Sequence, residues 1–334
     1  MAAIPVAVAS AWGWSIDQIA PLSGGLINAT YAVREAGRPI AVLQRLHPIF
    51  NADVNLDLDA VTTHLAARGL ATPRLIHTLD QRQCVEHEGV WRATSWVDGI
   101  TIAAVPDPSW AEAGGELVGR FHRAVADLHY EYRFTRGGVH DTAHHLQRLR
   151  ELASGAGDSA WLRLAHEILA TEIPVLGDQP LRHVHGDLKI SNLLFHTDPV
   201  RGAALVDLDT LAKGTLAFEL GDAMRSWCNP HGEDAGRVKF ELANFAAAIT
   251  GFRRIADPIV TEAERASIAT GLETVCVELA ARFCIDVFED RYFGWDPQRF
   301  ASRREHNLIR SQGQLALAHD VRSQREAMRD VLLG

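Results

Sequence analysis

Short runs of alternating or β-branched apolar residues fill the first hundred positions of the chain, and such runs predict β-strands. The predicted strands are residues 16–22, 29–34, 39–46, 74–78 and 90–97. Between them, apolar residues recur at helical spacing from Ala60 to Leu65, and Gly69 ends that run. The pattern therefore predicts a strand-rich unit with one helix, which ends at a hinge near residues 96–99.

After Pro108 the spacing of apolar residues changes to the helical period. The predicted helices are residues 111–128, 146–153, 160–173, 236–251, 262–290 and 302–333. Glycine-containing segments separate them, and a short strand pair near residue 206 is the exception. The pattern indicates an α+β chain of two units, residues 1–97 and residues 98–334.

The length agrees with two units, because 334 residues are too many for one ordinary hydrophobic core. Hydrophobic residues make up 47% of the chain and charged residues 22%, which is typical of a soluble globular enzyme. The formal net charge is −9, whereas nucleic-acid phosphates are bound by an excess of lysine and arginine. The charge balance therefore argues against nucleic acid as a partner.

The spacing of the cysteines and the first residues of the chain indicate the cellular compartment in which the protein is expected. The four cysteines form no Cys-x-x-Cys pair and no zinc spacing, which favours free thiols in a reducing compartment. Residues 1–14 include no lysine or arginine, so they lack the positive start of a signal peptide. No stretch has the roughly 18 uninterrupted apolar residues of a membrane span. We expect a cytoplasmic protein, monomeric or homodimeric, with no membrane partner.

The most informative polar pattern lies in the predicted helical unit. Residues 185–192 read His-Gly-Asp-Leu-Lys-Ile-Ser-Asn, so Asp187 precedes Asn192 by five positions, and Asp207 follows fifteen positions later. Residues 202–206 are apolar and predict a short buried strand that ends at Asp207. In phosphoryl transfer, one carboxylate orients the attacking hydroxyl, while amide and carboxylate oxygens hold the Mg²⁺ on the nucleotide phosphates. The pattern therefore predicts a phosphotransfer site that uses Mg²⁺.

A glycine pair joins the first two predicted strands. Gly24 and Gly25 lie in the segment 21–31, and adjacent glycines let backbone N–H groups approach phosphates. Two glycines in a hairpin are more often an ordinary turn, but this pair precedes the motif of residues 185–192. We therefore expect a phosphate-binding loop, with Asn28 and Thr30 as further nucleotide contacts.

The third predicted strand should carry a basic residue for the α- and β-phosphates. Strand alternation puts Gln44 and Arg45 on opposite faces, so only one of them can face the nucleotide. In the usual register of a kinase strand Gln44 takes the lysine position, and the sequence leaves the choice open. The carboxylate partner of such a cation is expected on the following helix, at Asp57 or Asp59.

Together these motifs resemble one family. Residues 185–192 with Asp207 resemble the catalytic and metal motifs of the aminoglycoside phosphotransferase and choline-kinase-like superfamily, which are small-molecule kinases with a protein-kinase-like fold. Within it, the N-acetylhexosamine kinase branch is the most similar. The segments that carry this second resemblance are residues 24–31, 42–46, 49–50, 207–211, 221–225 and 306–315.

The resemblance implies a protein-kinase-like bilobal fold that binds ATP and Mg²⁺ between its lobes. By position, Asp187 would be the catalytic base, and Asn192 and Asp207 would be the Mg²⁺ ligands. The adenine would lie against the hinge at Trp96 and Val97.

The resemblance also places charged residues on the acceptor side. They are Asp187, Asp209, Asp222, Arg225, Arg304, His306 and Arg310. Asp209 could instead support the metal, Asp222 could brace the motif of residues 185–192, and the three C-terminal residues could form a solvated helix face. His185 is expected to be structural, and Lys189 either neutralises the transferred phosphate or is solvated.

Three other interpretations compete for the same residues. Residues 183–187 match the start of a His-x-His-x-Asp metal-hydrolase signature, but Leu188 stands where a further histidine is needed. Asp207 and Asp209 after a strand resemble a phosphatase nucleophile motif, yet both hydrolase folds need βαβ units that the pattern does not predict. A ligand-binding pseudokinase would explain the missing strand lysine, but it has no use for the base and metal residues together.

The sequence therefore predicts an ATP-dependent kinase that phosphorylates a hydroxyl group of a small molecule. A sugar or amino sugar is the first expectation for the acceptor, and an aminoglycoside or another amino alcohol is the second. The motifs indicate how phosphate is transferred, but they give little information about the acceptor molecule.

Overall fold

A computed structural model describes residues 4–22, 28–155, 157 and 159–334 of the chain. Gly24 and Gly25, the predicted phosphate contacts, lie outside these residues. The described part has an antiparallel sheet in its N-terminal region and helices after it, which confirms the α+β, kinase-like bilobal fold. The boundary after residue 97 stays a prediction.

The sheet of the small lobe is built from short antiparallel strands. They are β1 (Ile19–Pro21), β2 (Ala29–Glu35), β3 (Arg38–Arg45), β4 (Leu75–Ile76), β5 (Val85–Glu86) and β6 (Val90–Ser95). Their order across the sheet is β1-β2-β3-β6-β4, and β5 also pairs with β6. A short helix that the pattern did not predict, α1 (Val6–Ala11), precedes the sheet, and the predicted helix is α2 (Val54–Ala67).

The two faces of this sheet have different surroundings. Tyr31 and Leu43 lie side by side on one face and pack with Val8 and Trp12 in a hydrophobic cluster. The opposite face carries polar residues, because the register places Thr30 beside Gln44 and Gln44 beside Arg92. Strand alternation thus directs one row of polar side chains towards the large lobe.

Helices make up most of the large lobe. They are α3 (Pro108–Ala124), α4 (Thr142–Leu152), α5 (Ala160–Ala170), α6 (Leu216–Trp227), α7 (Leu242–Ala256), α8 (Glu262–Glu289), α9 (Arg303–Ser323) and α10 (Arg325–Leu333). The pattern missed α6 and began α7 too early. It also joined α9 and α10, which Gln324 separates.

The long helix α8 is buried along most of its length and contacts α4, α5, α6, α9 and α10. Its apolar residues therefore lie on all sides, as expected of a central helix. Helices α3 and α7 pack backbone to backbone, since Cβ atoms added at Gly115 and Gly251 would each lie 2.0 Å from a carbonyl oxygen of the facing helix.

Two small strand pairs hold the loops that carry the predicted motif. Strands β7 (Arg182–Val184) and β10 (Ala212–Gly214) pair with each other, as do β8 (Leu193–Thr197) and β9 (Val200–Leu205). Residues 185–192, which we name the His–Gly–Asp loop, connect β7 to β8. Residues 206–211, the Asp–Leu–Asp loop, connect β9 to β10. The two pairings therefore bring both loops to the same place.

Candidate active site

The polar side chains of the His–Gly–Asp loop converge on one carboxylate. Lys189 Nζ donates to Oδ2 of Asp187 at 2.7 Å. Asn192 Nδ2 donates to the same oxygen at 3.1 Å and to the backbone oxygen of Asp187 at 2.8 Å. The loop thus presents a carboxylate that is held in place and partly exposed, at 27% of its side-chain surface.

The backbone of the loop is fixed from two sides. Gly186 has a φ of +78°, and the backbone N–H groups of His185 and Gly186 donate to the buried carboxylate of Glu219 at 2.7 and 3.0 Å. His185 Nε2 bonds the Val206 oxygen at 2.9 Å, and Thr210 donates to the His185 oxygen at 2.8 Å. The contacts of His185 are therefore those of the structural histidine that we predicted.

Glu219 is a buried acid that anchors this loop. Burial by itself would raise the pKa of Glu219, but the nearby His122, 3.5 Å away, and the charge and backbone N–H of His185 outweigh it and lower the pKa. An ionised carboxylate is the better acceptor for two backbone N–H groups, so the low pKa strengthens the anchor.

The Asp–Leu–Asp loop places Asp207 beside this set. Asp207 has a left-handed backbone, with φ 61° and ψ 53°, and its Oδ2 lies 4.0 Å from Lys189 Nζ. Burial raises the pKa of Asp207, the charges of Asp209 and Asp187 raise it further, and Lys189 acts in the opposite direction. A partly buried carboxylate among like charges gains from a bound cation.

The described ranges contain no group of three or more His, Cys, Asp or Glu side chains placed to hold a metal ion. The set around Asp207 differs from such a cluster because its second oxygen donor is the carboxamide of Asn192. Nδ2 of Asn192 is taken by Asp187, which leaves Oδ1 as the atom to face a cation. Two protein oxygens suit Mg²⁺, which takes its other ligands from water and phosphate.

Asp209 is not placed as the acceptor contact that we predicted. Its side chain is 1% exposed and forms an ion pair with Arg92 of β6. Its Oδ2 accepts a hydrogen bond from Asn28 Nδ2 at 2.8 Å, and Asn28 Oδ1 accepts one from the His47 backbone at 2.9 Å. Asp209 therefore ties the large lobe to β6 and to the residue just before β2 in the small lobe.

The structure also separates Gln44 from Arg45. Gln44 faces the large lobe and accepts from Arg92, whereas Arg45 lies over the Trp91 ring on the other face and donates to the backbone oxygen of Glu88. The prediction of Arg45 as a phosphate contact is therefore wrong, because the alternation of β3 turns it away. Gln44 Nε2 lies 3.4 Å from Thr30 Oγ1. Contact of the nucleotide with Gln44 or with Thr30 stays a prediction.

Neither acid of helix α2 pairs with these residues. Asp57 is buried and accepts hydrogen bonds from the Tyr130 hydroxyl and from the backbone N–H groups of Arg133 and Phe134, at 2.8 to 2.9 Å. Asp59 pairs instead with His77 at 2.8 Å. Neither Asp57 nor Asp59 is therefore the expected partner of a cation on the sheet. The carboxylate that pairs with the sheet cation, Arg92, comes from Asp209.

The predicted hinge follows directly after β6. The Trp96 backbone N–H donates to the Ile40 oxygen at 3.1 Å, and its indole N–H donates to Asp98 at 2.9 Å. The first bond holds the segment against β3, and the second lies within the segment. The contact of Trp96 and Val97 with adenine stays a prediction.

Charged residues next to the His–Gly–Asp loop are paired with one another. Arg225 is buried and bonds Asp222 and Glu233 at 2.8 and 2.6 Å. Burial would lower the pKa of Arg225, but these two carboxylates raise it. Burial would raise the pKa of Asp222, but the charges of Arg225 and His140, together with Lys189, lower it. Asp222 therefore pairs with Arg225 and also lies within electrostatic range of Lys189 in the loop.

The predicted C-terminal contacts divide into two groups. His306 and Arg310 bond Asp234 at 2.9 and 2.7 Å, next to the Arg225 partner Glu233. Arg304 instead bonds the Val287 oxygen at 2.8 Å and lies over the Trp161 ring. Those contacts are with α8 and α5, so they give the predicted acceptor role of Arg304 no support. The roles of Arg225 and Arg310 stay predictions.

Several residues of this site have no counterpart in our sequence predictions, among them Arg92, His122 and Glu219. Arg92 was hidden because the sequence does not give the register that sets it opposite Gln44. One signal was available, since Arg92 interrupts a β-type run, and a charged residue within a buried strand needs a partner.

Comparison with known proteins identifies the class. A computational profile of the phosphotransferase enzyme family, APH, matches residues 18–256. The chain therefore belongs to this family, and it is a phosphotransferase that acts on a hydroxyl group. The homoserine kinase of Granulibacter bethesdensis is 25% identical over 287 residues, which cover 82% of this chain and 80% of that protein.

Solved structures share the fold. The aminoglycoside phosphotransferase from Alicyclobacillus acidocaldarius is 16% identical, covers 97% of each chain and has a TM-score of 0.63. The amicoumacin kinase hAmiN, solved with AMP-PNP and Ca²⁺, is 14% identical and covers 96% of this chain and 91% of that one, with a TM-score of 0.60. A choline/ethanolamine kinase family protein from Mesorhizobium loti, also 14% identical, covers 94% and 92% with a TM-score of 0.59.

No described helix combines the length and the apolar character that crossing a membrane requires.

Proposed function

We propose that the protein is an ATP-dependent kinase that uses Mg²⁺ to phosphorylate a hydroxyl group of a small molecule. The observation that carries this proposal is the meeting of Asp187, Asn192 and Asp207 around Lys189, within two loops that face the small lobe. Family membership supports the same chemistry.

In this proposal Asn192 Oδ1 and the Asp207 carboxylate hold Mg²⁺, which when bound neutralises charge on the nucleotide phosphates. Asp187 accepts a hydrogen bond from the acceptor hydroxyl, orients it and takes its proton late, since phosphoryl transition states are loose. Burial would lower the pKa of Lys189, but Asp187 and Asp207 outweigh it and raise the pKa. Lys189 therefore stays protonated and can stabilise charge on the transferred phosphoryl group.

For the acceptor we propose a sugar or amino sugar. The acids next to the His–Gly–Asp loop already have cationic partners: Asp222 has Arg225, and Asp234 has Arg310 and His306. A site for a polycationic antibiotic would offer unpaired acids, whereas paired charges around a cleft suit a neutral, hydroxylated ring. The resemblance to N-acetylhexosamine kinases in residues 221–225 points the same way.

Homoserine is a second candidate, because the Granulibacter bethesdensis relative is named a homoserine kinase. A zwitterion of that kind needs both an arginine for its carboxylate and an acid for its ammonium group, and the pairs around Arg225 and Arg310 include both types.

The four cysteines are free, and three of them are buried. This supports the expectation of a reducing, cytoplasmic compartment, which remains part of the proposal.

The test is a coupled ADP-release screen with Mg²⁺·ATP against hexoses, N-acetylhexosamines, aminoglycosides, choline and homoserine. We expect turnover with a hexose or N-acetylhexosamine, and stronger turnover with homoserine would replace the first candidate by the second. Binding of Mg²⁺·ATP without acceptor-dependent ADP release for any member of the panel would favour the pseudokinase interpretation.

Asp187→Asn tests the base. It should lower kcat by about 10²–10⁴-fold, the usual contribution of a general base, and leave ADP affinity nearly unchanged. Asp330→Asn, on the exposed face of α10, is the matched control and should retain full activity. Turnover near that of the wild type in Asp187→Asn would refute the assignment.

A further inference from the structure

A buried ion pair joins the two lobes through Asp209, which lies two residues after the proposed metal ligand Asp207. The side chains of Arg92 and Asp209 are 3% and 1% exposed. Arg92 also donates from Nε and Nη2 to Oε1 of Gln44, at 2.9 and 2.7 Å. We propose that Arg92 and Asp209 are positioning residues that set the place of Asp207 for Mg²⁺. This inference rests on the phosphotransfer function proposed above.

The link from Asp209 to Asp207 is short and stiff. Asp209 lies in a single 3-10 turn, Leu208–Thr210, which begins directly after Asp207. A non-glycine residue keeps the left-handed conformation of Asp207 only when its surroundings hold it there. Asp209 is held from the small lobe through Arg92 and through Asn28. Fixing Asp209 therefore fixes the backbone that aims the carboxylate of Asp207.

Gln44 explains why the cation of this sheet, the guanidinium of Arg92, lies on β6. It stands opposite Arg92 in the sheet, and its amide oxygen accepts two of the guanidinium N–H groups. A lysine at position 44 could not accept these hydrogen bonds, because its ammonium group only donates. It would also place a second positive charge next to the buried guanidinium of Arg92. The cation expected on β3 is therefore found on β6, and its acid is found at Asp209 instead of on helix α2.

Groups that orient metal ligands affect metal affinity by 10–100-fold when they are changed. Arg92→Gln and Asp209→Asn should therefore each raise the Mg²⁺ concentration for half-maximal activity by about tenfold or more. In calorimetry, each should weaken the binding of Mg²⁺·ADP by a similar factor, and the binding of metal-free ADP by less than about threefold. Arg38→Gln, at the exposed start of β3, is the matched control and should change neither quantity.

The double variant Arg92→Gln/Asp209→Asn separates coupling from independent damage. Both changes remove the same contact. The double variant should therefore bind Mg²⁺·ADP no more weakly than whichever single variant binds it more weakly. Additive losses, an unchanged Mg²⁺ requirement, or an equal loss of metal-free ADP affinity would overturn the proposal. If Arg92→Gln does not fold, Asp209→Asn carries the test alone, since it keeps the shape of the side chain.

The calorimetric measurement needs no acceptor. A failure to find any phosphorylated acceptor would therefore count against the proposed function and leave the result for Arg92 and Asp209 intact.

Discussion

At the scale of single residues, the conformation of Gly186 determines where the proposed base stands. Its φ of +78° is in the left-handed region, and a Cβ atom at this position would lie 2.4 Å from the Thr210 oxygen. Glycine is thus required both for the turn and for the contact between the His–Gly–Asp loop and the Asp–Leu–Asp loop.

Gly186→Ala should lower kcat by at least about tenfold, because the clash with Thr210 must move Asp187. The control is Gly69→Ala, which has a similar φ of +75° but no atom within 4 Å of the added Cβ. Both variants carry the backbone strain of alanine at positive φ, about 1–2 kcal/mol, so their difference reports the clash. Equal kcat values for the two variants, measured by ADP release, would show that the contact has no role in activity.

Sequence predicted the residues whose spacing along the chain defines a motif. Asp187, Asn192 and Asp207 belong to such a motif, and the structure brings the three together. The pairing of Arg92 with Asp209 could not be predicted, because it depends on strand register and on how the lobes meet. Neither quantity has a local signature in the chain.

At the scale of helices and strands, the contact between α3 and α7 depends on glycine. Cβ atoms added at Gly115 and Gly251 would each lie 2.0 Å from a backbone oxygen, of Ala248 and Glu112 respectively. Backbone atoms cannot turn aside as a flexible side chain can, so a methyl group here must push the helices apart.

Gly251→Ala should therefore lower the free energy of unfolding by about 1–3 kcal/mol, the usual cost of overpacking. Gly236→Ala, where an added Cβ has no atom within 4 Å, should change it by less than about 1 kcal/mol. Urea unfolding of both variants at one temperature measures the difference. A Gly251→Ala protein as stable as Gly236→Ala would mean that the two helices pack less tightly than described.

A histidine fastens the connection between α3 and α4 to the central helix. His140 Nδ1 lies 3.5 Å from Glu278 of α8, and its ring stacks on Phe218 at 4.9 Å. Burial alone would lower the pKa of His140, but the close contact with the Glu278 carboxylate and its charge, together with the charge of Asp222, outweigh burial and raise the pKa.

A raised pKa gives stability that is complete below the unfolded value of 6.5 and is lost as the pH rises through the folded value. The stability advantage of the wild type over His140→Gln should therefore be largest near pH 6 and smaller near pH 9, measured by urea unfolding. In a Glu278→Gln background the advantage should no longer depend on pH in this way. The same pH dependence in both backgrounds would assign the effect to other groups.

Helix α6 shows why an element can escape a pattern. Its buried residues include Glu219 and Arg225 as well as apolar ones, so charged residues interrupt the buried face. Gly221 in its interior is a helix breaker by propensity, yet the close approach of α8, with Leu272 N 2.6 Å from an added Cβ, requires it. Glu219, which anchors the His–Gly–Asp loop, is thus one of the residues that made this helix hard to predict.

At the scale of the whole molecule, Asp57 joins the small lobe to the large one. From helix α2 it accepts three hydrogen bonds from residues 130–134, and burial, followed by the hydrogen bond to Asp57, raises the pKa of Tyr130 to about 12. Together with Arg92 and Asp209, this contact sets how the two lobes stand relative to each other.

Asp57→Ala should lower the free energy of unfolding by about 2–4 kcal/mol, because it leaves two backbone N–H groups and a hydroxyl without their acceptor. Hydrogen exchange should then show the small lobe losing protection first. Asp53→Ala, on the exposed face just before the same helix, is the control and should change stability by less than about 0.5 kcal/mol. Loss of protection that begins in α8 would contradict the assignment of Asp57 to the junction of the lobes.

The ion pair of Arg92 and Asp209 has a consequence for control of the enzyme. Protein kinases are switched by movement of the small-lobe helix, which makes or breaks a lysine–glutamate pair. Here Gln44 is neutral, and Asp57 fastens α2 to the large lobe, so a swing of that helix would alter no such pair. An inhibitor that displaces helix α2 would therefore break no lysine–glutamate pair in this protein. Selective inhibitors should be directed at the Asp–Leu–Asp loop instead.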